Sequence, residues 1–375
     1  MSRPGSLRET NAQRAMPAHF YIDEGVLARE RDMLFDHWQL VGHEKQLAEP
    51  GAFLTVTLHD QDYFLLRGQD DVIRGFANVC PHRGHRLVDG QGFKARITCP
   101  YHAWTFTHTG ALMGLQRTRT TQAPDRADIG LTEVKVDSLA GFLFMNPNGN
   151  AAPLDDYAPG LAEQIARHCP DLPRYAIEEG PALGHSYTCD ANWKVLIDNY
   201  LECHHCGTAH DTFNDMMDIA ASTFELFETY TFQTAPTARK PDNRAFPLDL
   251  AHDVTVGHFW YLFPNTVLGQ FPGAHGFYAS RFDALTPHRT ERRTFSLIAD
   301  PPTDPGMAER NRLRSEWSSS VVSQEDRRLC ENVQRGMRQR AFTQGWYVTD
   351  PEAHGISEHA MRHFHQIYQS ALETT

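Results

Sequence analysis

The chain has 375 residues and a formal net charge of −12 at pH 7, which weighs against nucleic acid as a partner. Its 41% hydrophobic and 22% charged content is ordinary for a soluble globular protein, and the length allows two sizeable cores. Nothing approaches the roughly 18 consecutive apolar residues of a membrane helix, residues 1–20 show no signal-type run, and seven cysteines, an odd number, do not suit a secreted disulfide scaffold. The expectation is a cytoplasmic enzyme with no membrane partner.

In chain order, residues 1–20 are mostly polar and read as a mobile start. Asp23 is a candidate N-cap, and Leu27, Leu34, Phe35 and Trp38 follow at helical spacing, with Arg29, Asp32 and Asp36 on the wet side and Arg31 on the apolar stripe. From about Leu40 the period changes. Leu54, Val56 and Leu58 alternate with Phe53, Thr55 and Thr57; His59 to Asp62 read as a turn, Tyr63 to Leu66 as the return strand, and Val72 to Val79 and Val134 to Met145 as further β structure. Gly90-Gln91-Gly92-Phe93-Lys94-Ala95 fits a variant of the dinucleotide fingerprint. A short strand and a proline come after it instead of a helix, so it reads as a turn. Asn148 to Pro173, rich in Pro, Gly, Ala and Asp, reads as a domain connection.

Two arms inside the β region carry chemistry: Cys80-Pro81-His82 and, sixteen residues further on, Cys99-Pro100-Tyr101-His102. Two thiolates and two imidazoles suit a [2Fe-2S] cluster of Rieske type. Zinc also accepts such a set, but zinc fingers place two Cys in one arm and two His in the other. Here each arm has one of each.

The arms resemble the cluster loops of Rieske proteins, and Cys99-Pro100-Tyr101-His102-Ala103-Trp104 is close to the form in Rieske non-haem iron oxygenases. The resemblance implies Cys80 and Cys99 on one iron and His82 and His102 on the other. High-potential Rieske proteins carry an extra Cys in each loop. His85 and Tyr101 occupy those slots here, which favours the oxygenase or ferredoxin branch.

A second stretch, Asn192 to His210, reads as a helix that loosens near Gly207. On a straight helix His205 and His210 would lie about 140° apart, so both can face one metal only if the helix ends or deforms between them, and Gly207 permits that. Two His plus a carboxylate form the facial triad of non-haem Fe(II) oxygenases. The segment resembles the D/E-x2-H-x4-H motif of Rieske oxygenase catalytic domains. That resemblance implies His205 and His210 as iron ligands and Glu202 as the residue linking the iron to a neighbouring subunit's cluster, with Asp198, one turn earlier, as the alternative. Cys203 and Cys206 read as core cysteines, and His204 as pointing elsewhere. Ser323 to Gly336 resembles the family's C-terminal helix, which begins with an acidic pair and runs into V-Q-R-G. It implies Asp326 as third ligand, with Glu325 as runner-up; both could instead be first-turn acids that complement the helix dipole. Phe259 to Asn265, Phe271 to Gly273 and Thr294 to Ala299 read as sheet strands whose aromatics are either plain core or a cage for a quaternary ammonium. Glu358 to Tyr368 resembles the family's terminal helix, with His359, His363 and His365 read as structural or surface residues.

The expected fold class is α+β: a small all-β Rieske domain (40–147) and a larger catalytic domain with an antiparallel sheet covered by helices (148–375), with 1–39 a helical segment packing on the latter. The resemblance implies a terminal oxygenase component that uses O2, a Rieske [2Fe-2S] cluster, mononuclear Fe(II) and electrons from a separate NAD(P)H-dependent reductase or ferredoxin, arranged as a head-to-tail homotrimer. Glu202 in the acidic slot points to the branch acting on quaternary ammonium or N-methyl compounds. The alternative is mono- or dioxygenation, or O-demethylation, of an aromatic ring or acid. A plain electron-transfer Rieske protein would need only the β domain.

Overall fold

The computed structural model describes residues 14–115, 125–178, 186–240, 243–273, 275–299, 302, 304–349 and 355–374. Residues 1–13, part of the start expected to be mobile, lie outside them. The chain forms two compact units, residues 34–162 and residues 163–375 together with the N-terminal residues to 33. No helix among the described residues is long and apolar enough to cross a membrane.

The first elements among the described residues are β1 (Arg14–Pro17) and α1 (Glu24–Phe35). Asp23 caps α1 as expected, its carboxylate accepting from the Gly25 and Val26 N–H groups at 2.8 and 3.1 Å. The β unit then runs through β2 (Gln39–His43), β3 (Ala52–Leu58), β4 (Gln61–Arg67), β5 (Ile73–Ala77), β6 (Gln91–Phe93), β7 (Ile97–Thr98), β8 (Thr105–Phe106), β9 (Leu112–Gly114), β10 (Glu133–Leu139) and β11 (Phe142–Asn146). Seven of these strands make one sheet, in the order β2-β11-β10-β5-β4-β3-β6, and β7-β8-β9 make a second. The large sheet has a core on each face. Phe53, Phe64, Leu66 and Phe76 enter one, and Leu54, Val56, Leu58 and Leu65 the other, which is why both sets of the alternating β3 residues are apolar near its start. The turn after β3 is shorter than expected, because Gln61 already pairs with Leu58. Gln91 to Phe93 form an edge strand on β3, not a plain turn. With no helix after them, the glycines there have no dinucleotide geometry.

The chain continues through α2 (Leu154–Tyr157, still in the first unit) and α3 (Leu161–His168, where the division falls) into the second unit, with β12 (Tyr175–Ile177), β13 (Tyr187–Cys189), α4 (Trp193–Tyr200), α5 (Cys206–Ala209) and α6 (Phe213–Met216). An antiparallel sheet follows: β14 (Thr223–Leu226), β15 (Tyr230–Pro236), β16 (Val256–Leu262), β17 (Thr266–Gln270), β18 (Gly276–Thr286) and β19 (Arg289–Ala299). Its order is β12-β19-β18-β17-β16-β15-β14, with β13 also on β19. Phe271 to Gly273 are not a strand as expected; β17 ends at Gln270. α7 (Met307–Trp317) and α8 (Ser323–Met337) are joined through a π-helical stretch, Ser318–Val322. β20 (Gln344–Trp346) pairs with β1, and α9 (His359–Thr374) closes the chain.

α4 is held at its N-terminal end. Asn192 caps it by accepting from the Lys194 N–H at 3.0 Å, while its own N–H donates to Gln334 Oε1 at 2.7 Å. Gln334 also donates to the Tyr21 carbonyl at 3.1 Å, so the glutamine of V-Q-R-G ties α8, α4 and the N-terminal segment together. Glu30 of α1, fully buried, accepts from Lys194 Nζ, from Trp193 Nε1 at 2.9 Å and from Tyr368 Oη at 2.5 Å. This buried ion pair joins α1, α4 and α9.

Candidate functional site

The expected continuous helix from Asn192 to Gly207 is not there. α4 ends at Tyr200, and the chain turns through Leu201 to His205 before one short turn of helix. The Glu202 carboxylate explains the break. It accepts the His205 backbone N–H at 3.1 Å and meets His205 Nδ1 at 2.5 Å, so it serves as the turn's hydrogen-bonding partner in place of the helix ladder. Gly207 lies inside α5 and is not the hinge; the second change of direction is at His210, whose backbone is extended. Cys203 and Cys206 are buried core residues, as expected, and are also disulfide-bonded to each other across the turn.

The result is a convergence of donors. His210 Nε2 lies 3.0 Å and His205 Nε2 3.5 Å from the same Asp326 oxygen. The remaining ring nitrogens face acids: His205 Nδ1 meets Glu202, and His210 Nδ1 meets Glu325 at 2.9 Å. A carboxylate behind each histidine fixes ring orientation and leaves Nε2 free for a cation. Cys206 Sγ is also within 4.8 Å of the two histidine donors. Its sulfur is tied up in the disulfide and offers no thiolate, which leaves Asp326 as the third donor. Burial alone would pull both imidazoles down. Hydrogen bonds that its ring donates to Asp326 and Glu202 outweigh it at His205, held at about 9, and Asp326 with Glu325 likewise raises His210. Burial opposes ionisation of Asp326, yet the two histidines hold its carboxyl at about 2. Three carboxylates thus face the two imidazoles, and the donor set of two histidine nitrogens and one Asp326 oxygen fits Fe(II).

Asn199 completes the cluster, its Nδ2 lying 3.3 Å from both His205 Nε2 and Asp326 Oδ1. The sequence reading missed it; its place near the end of the helix that precedes the histidines was the available signal. Asp198 faces elsewhere, accepting from Tyr21 Oη and bonding to His365 Nε2, each at 2.7 Å. His365 also meets Tyr347 Oη at 2.6 Å. His204 is exposed.

A cavity of about 970 Å³, its open mouth included, lies over this cluster. Tyr200, Phe213, Phe259, Phe271 and Tyr278 supply aromatic surface to it. Glycines make room for them: a Cβ at Gly269 would meet Phe259 and Tyr278 Oη at 2.9 Å.

In the β unit, the two arms fold as the same turn. Cys80 N–H donates to the His85 carbonyl and Gly84 N–H back to Cys80, at 2.8 and 2.9 Å. Cys99 N–H donates to Trp104 and Ala103 N–H to Cys99, at 2.8 and 3.0 Å. The fourth residue after each cysteine is left-handed, Gly84 at φ 72° and Ala103 at φ 54°. Asn78 braces the first arm, accepting from the Leu87 and Val88 N–H groups and donating to the Val88 carbonyl. Both cysteines are buried, while His82 is exposed and His102 partly so, their ring centroids 4.6 Å apart. Backbone amides of His82 and Arg83 point at the Cys80 sulfur, and His102 Nδ1 is buried with no hydrogen-bond partner among the described residues. An orphaned imidazole nitrogen opposite two buried thiols fits a [2Fe-2S] cluster of Rieske type.

The chain is similar to known proteins over most of its length. A family model described as the Rieske [2Fe-2S] domain matches residues 37–125, and one described as the ring hydroxylating alpha subunit (catalytic domain) matches residues 178–374. The carnitine monooxygenase oxygenase subunit of Escherichia coli (strain K12) is 33% identical over 356 residues, covering 94% of this chain and 92% of that protein. The chloroplastic choline monooxygenase of Beta vulgaris is 26% identical over 93% of this chain and 75% of its own length. Among solved structures, a quaternary ammonium Rieske monooxygenase described in connection with carnitine oxidation by gut microbiota and inter-subunit electron transfer superposes with a TM-score of 0.86. It has 29% identity and covers 96% of this chain and 95% of its own.

Proposed function

Because the chain belongs to the ring-hydroxylating oxygenase alpha-subunit family, with a Rieske [2Fe-2S] domain ahead of its catalytic domain, we propose that it is the terminal oxygenase for a quaternary ammonium or N-methyl compound. We assign the cluster to Cys80, His82, Cys99 and His102 within residues 40–147, and the mononuclear iron to His205, His210 and Asp326 within 148–375. Bound ferrous iron supplies O2 activation beside the substrate.

The protein's own residues do the rest. Glu202 and Glu325 hold the two imidazoles in register, and Asn199 holds the Asp326 carboxylate. A quaternary ammonium has no N–H to donate, so its recognition falls to aromatic faces, through cation–π contact and exclusion of water. The aromatic lining of the cavity next to the His205–His210–Asp326 cluster is the observation that carries the substrate reading. A cytoplasmic homotrimer in which Glu202 links this site to the next subunit's cluster, fed by a separate reductase, fits the relatives described as oxygenase subunits and the similar structure described by inter-subunit electron transfer.

A single turnover tests the function. Pre-reduced protein with both iron sites full is mixed with labelled O2 and a panel of quaternary amines and aromatic acids. Label in a hydroxylated or dealkylated amine is the expected result. Label confined to an aromatic product would transfer the assignment to aromatic oxygenation. A second expectation concerns Glu202→Ala: with ferrous iron supplied in excess both metal sites fill, but the reduced cluster fails to reoxidise when O2 and substrate are supplied. Full turnover in that variant would remove Glu202 from the electron path.

A further inference from the structure

Arg292 lies in β19, opposite Phe282 of β18 and Tyr187 of β13. The period of two along a strand sends its neighbours to the other face. There Arg293 pairs with Asp283 and Glu291, and Arg281 also pairs with Asp283. Arg292 alone of the three turns to the cavity. Its Nε donates to Ser280 Oγ at 3.2 Å, it hydrogen-bonds Tyr187, and its guanidinium carbon lies 5.9 and 5.6 Å from the Tyr187 and Phe282 ring centres. Among the described residues no carboxylate forms an ion pair with it. A partly buried, permanently charged guanidinium without an acid is costly in a folded protein, and its planar fork of donors matches a carboxylate.

A second cavity, about 570 Å³, meets the first at this residue; Tyr187, Tyr278, Arg292, Ser318 and Ser323 line both. The second holds another arginine, Arg314, whose Nε is buried with no hydrogen-bond partner among the described residues and whose terminal nitrogen makes only a 3.3 Å bond to Asn311. Gly276 leaves the space it occupies, since a Cβ there would come within 2.5 Å of the Arg314 guanidinium. The one acid lining this cavity is Glu178. Burial pushes its carboxyl up to about 7, with Arg314 opposing, so cationic charge stays in excess.

We propose that the junction of the two cavities is an anion subsite, where a carboxylate on the substrate seats on Arg292 while its trimethylammonium end lies against the aromatic lining over the His205–His210–Asp326 cluster. The inference rests on the quaternary-ammonium reading and sharpens it: this oxygenase takes zwitterionic ammonium acids in preference to ammonium alcohols. The aromatic faces are tolerant of direction, so the carboxylate is the handle that sets which methyl group reaches the iron.

Calorimetric titration of the anaerobic holoprotein tests it, with gamma-butyrobetaine, its primary amide and choline as probes. The wild-type protein is expected to bind the acid about 10- to 100-fold more tightly than the amide, the range for one charge-assisted hydrogen-bonded contact. In Arg292→Gln that preference disappears through loss of affinity for the acid alone, and Arg292→Lys restores part of it. Equal wild-type affinity for acid and amide, or tighter binding of choline than of the acid, overturns the subsite and leaves the quaternary-ammonium function standing. Binding of none of the three by protein with both metals in place overturns the functional reading and this inference together. The wild-type comparison needs no variant to fold.

Discussion

Replacing His205 by Ala is expected to empty the mononuclear site and leave the cluster untouched. Iron content should fall from about three to about two atoms per chain, the cluster's visible absorbance should persist, and turnover should drop to background. The geometry explains why the loss is complete. His205 Nε2, His210 Nε2 and one Asp326 oxygen are the converging donors, and removing one leaves two on a cation that also has to keep positions open for substrate chemistry. Glu325→Ala should give a graded version. His210 keeps its Nε2 but loses the carboxylate behind Nδ1, and iron affinity should fall by about 10–100-fold. Loss of both iron types in His205→Ala, measured by iron and labile sulfide content together, would mean that the histidine is structural.

Breaking the buried pair of Glu30 and Lys194 should have the largest effect on stability. Both side chains are fully buried, and Glu30 also accepts from Trp193 and Tyr368. Burial alone depresses the Lys194 pKa, with Glu30 as its chief opposing influence. Glu30→Ala leaves that ammonium without an acid in an apolar setting, at a cost of about 3–5 kcal/mol. The unfolding transition of this unit, followed by tryptophan fluorescence in urea, should move to clearly lower denaturant. Mononuclear iron should be lost early in that transition, because α4 leads directly into the Glu202–His205 turn. The double variant Glu30→Leu with Lys194→Met should recover most of the loss, since a well-packed apolar pair is often no worse than a buried ion pair. An unchanged transition in Glu30→Ala would show that the pair contributes nothing net.

Chemistry carried by short stretches was legible without the fold. The Cys80–His82 and Cys99–His102 arms and the His205–His210 spacing each lie within a few residues, and the ligand types required by iron and sulfide narrow the reading before any packing is known. Local backbone chemistry was legible as well. Asp23 caps its helix, and the short strand and proline after the glycine-rich Gly90–Ala95 stretch exclude it as a nucleotide loop. Asp326 came from resemblance, because only the fold brings a carboxylate from α8 to histidines more than a hundred residues earlier.

Tertiary structure decided what depends on partners distant in sequence. The same first-turn position that makes Glu325 a dipole acid also backs His210, and nothing local separates the two. Asp198, one turn before Glu202, was the alternative for the link to a neighbouring subunit's cluster, and its carboxylate lies against Tyr21 and His365. Gly207 had the freedom to break the helix, yet the Glu202 carboxylate broke it earlier by supplying the turn with a hydrogen-bond acceptor. The pairing of Glu30 with Lys194, and the absence of a described acid for Arg292 beside two paired arginines, come from strand register and helix docking. A sequence shows which residues carry charge; only the fold assigns each charge its neighbour, and in a low-dielectric interior the neighbour determines what that charge does.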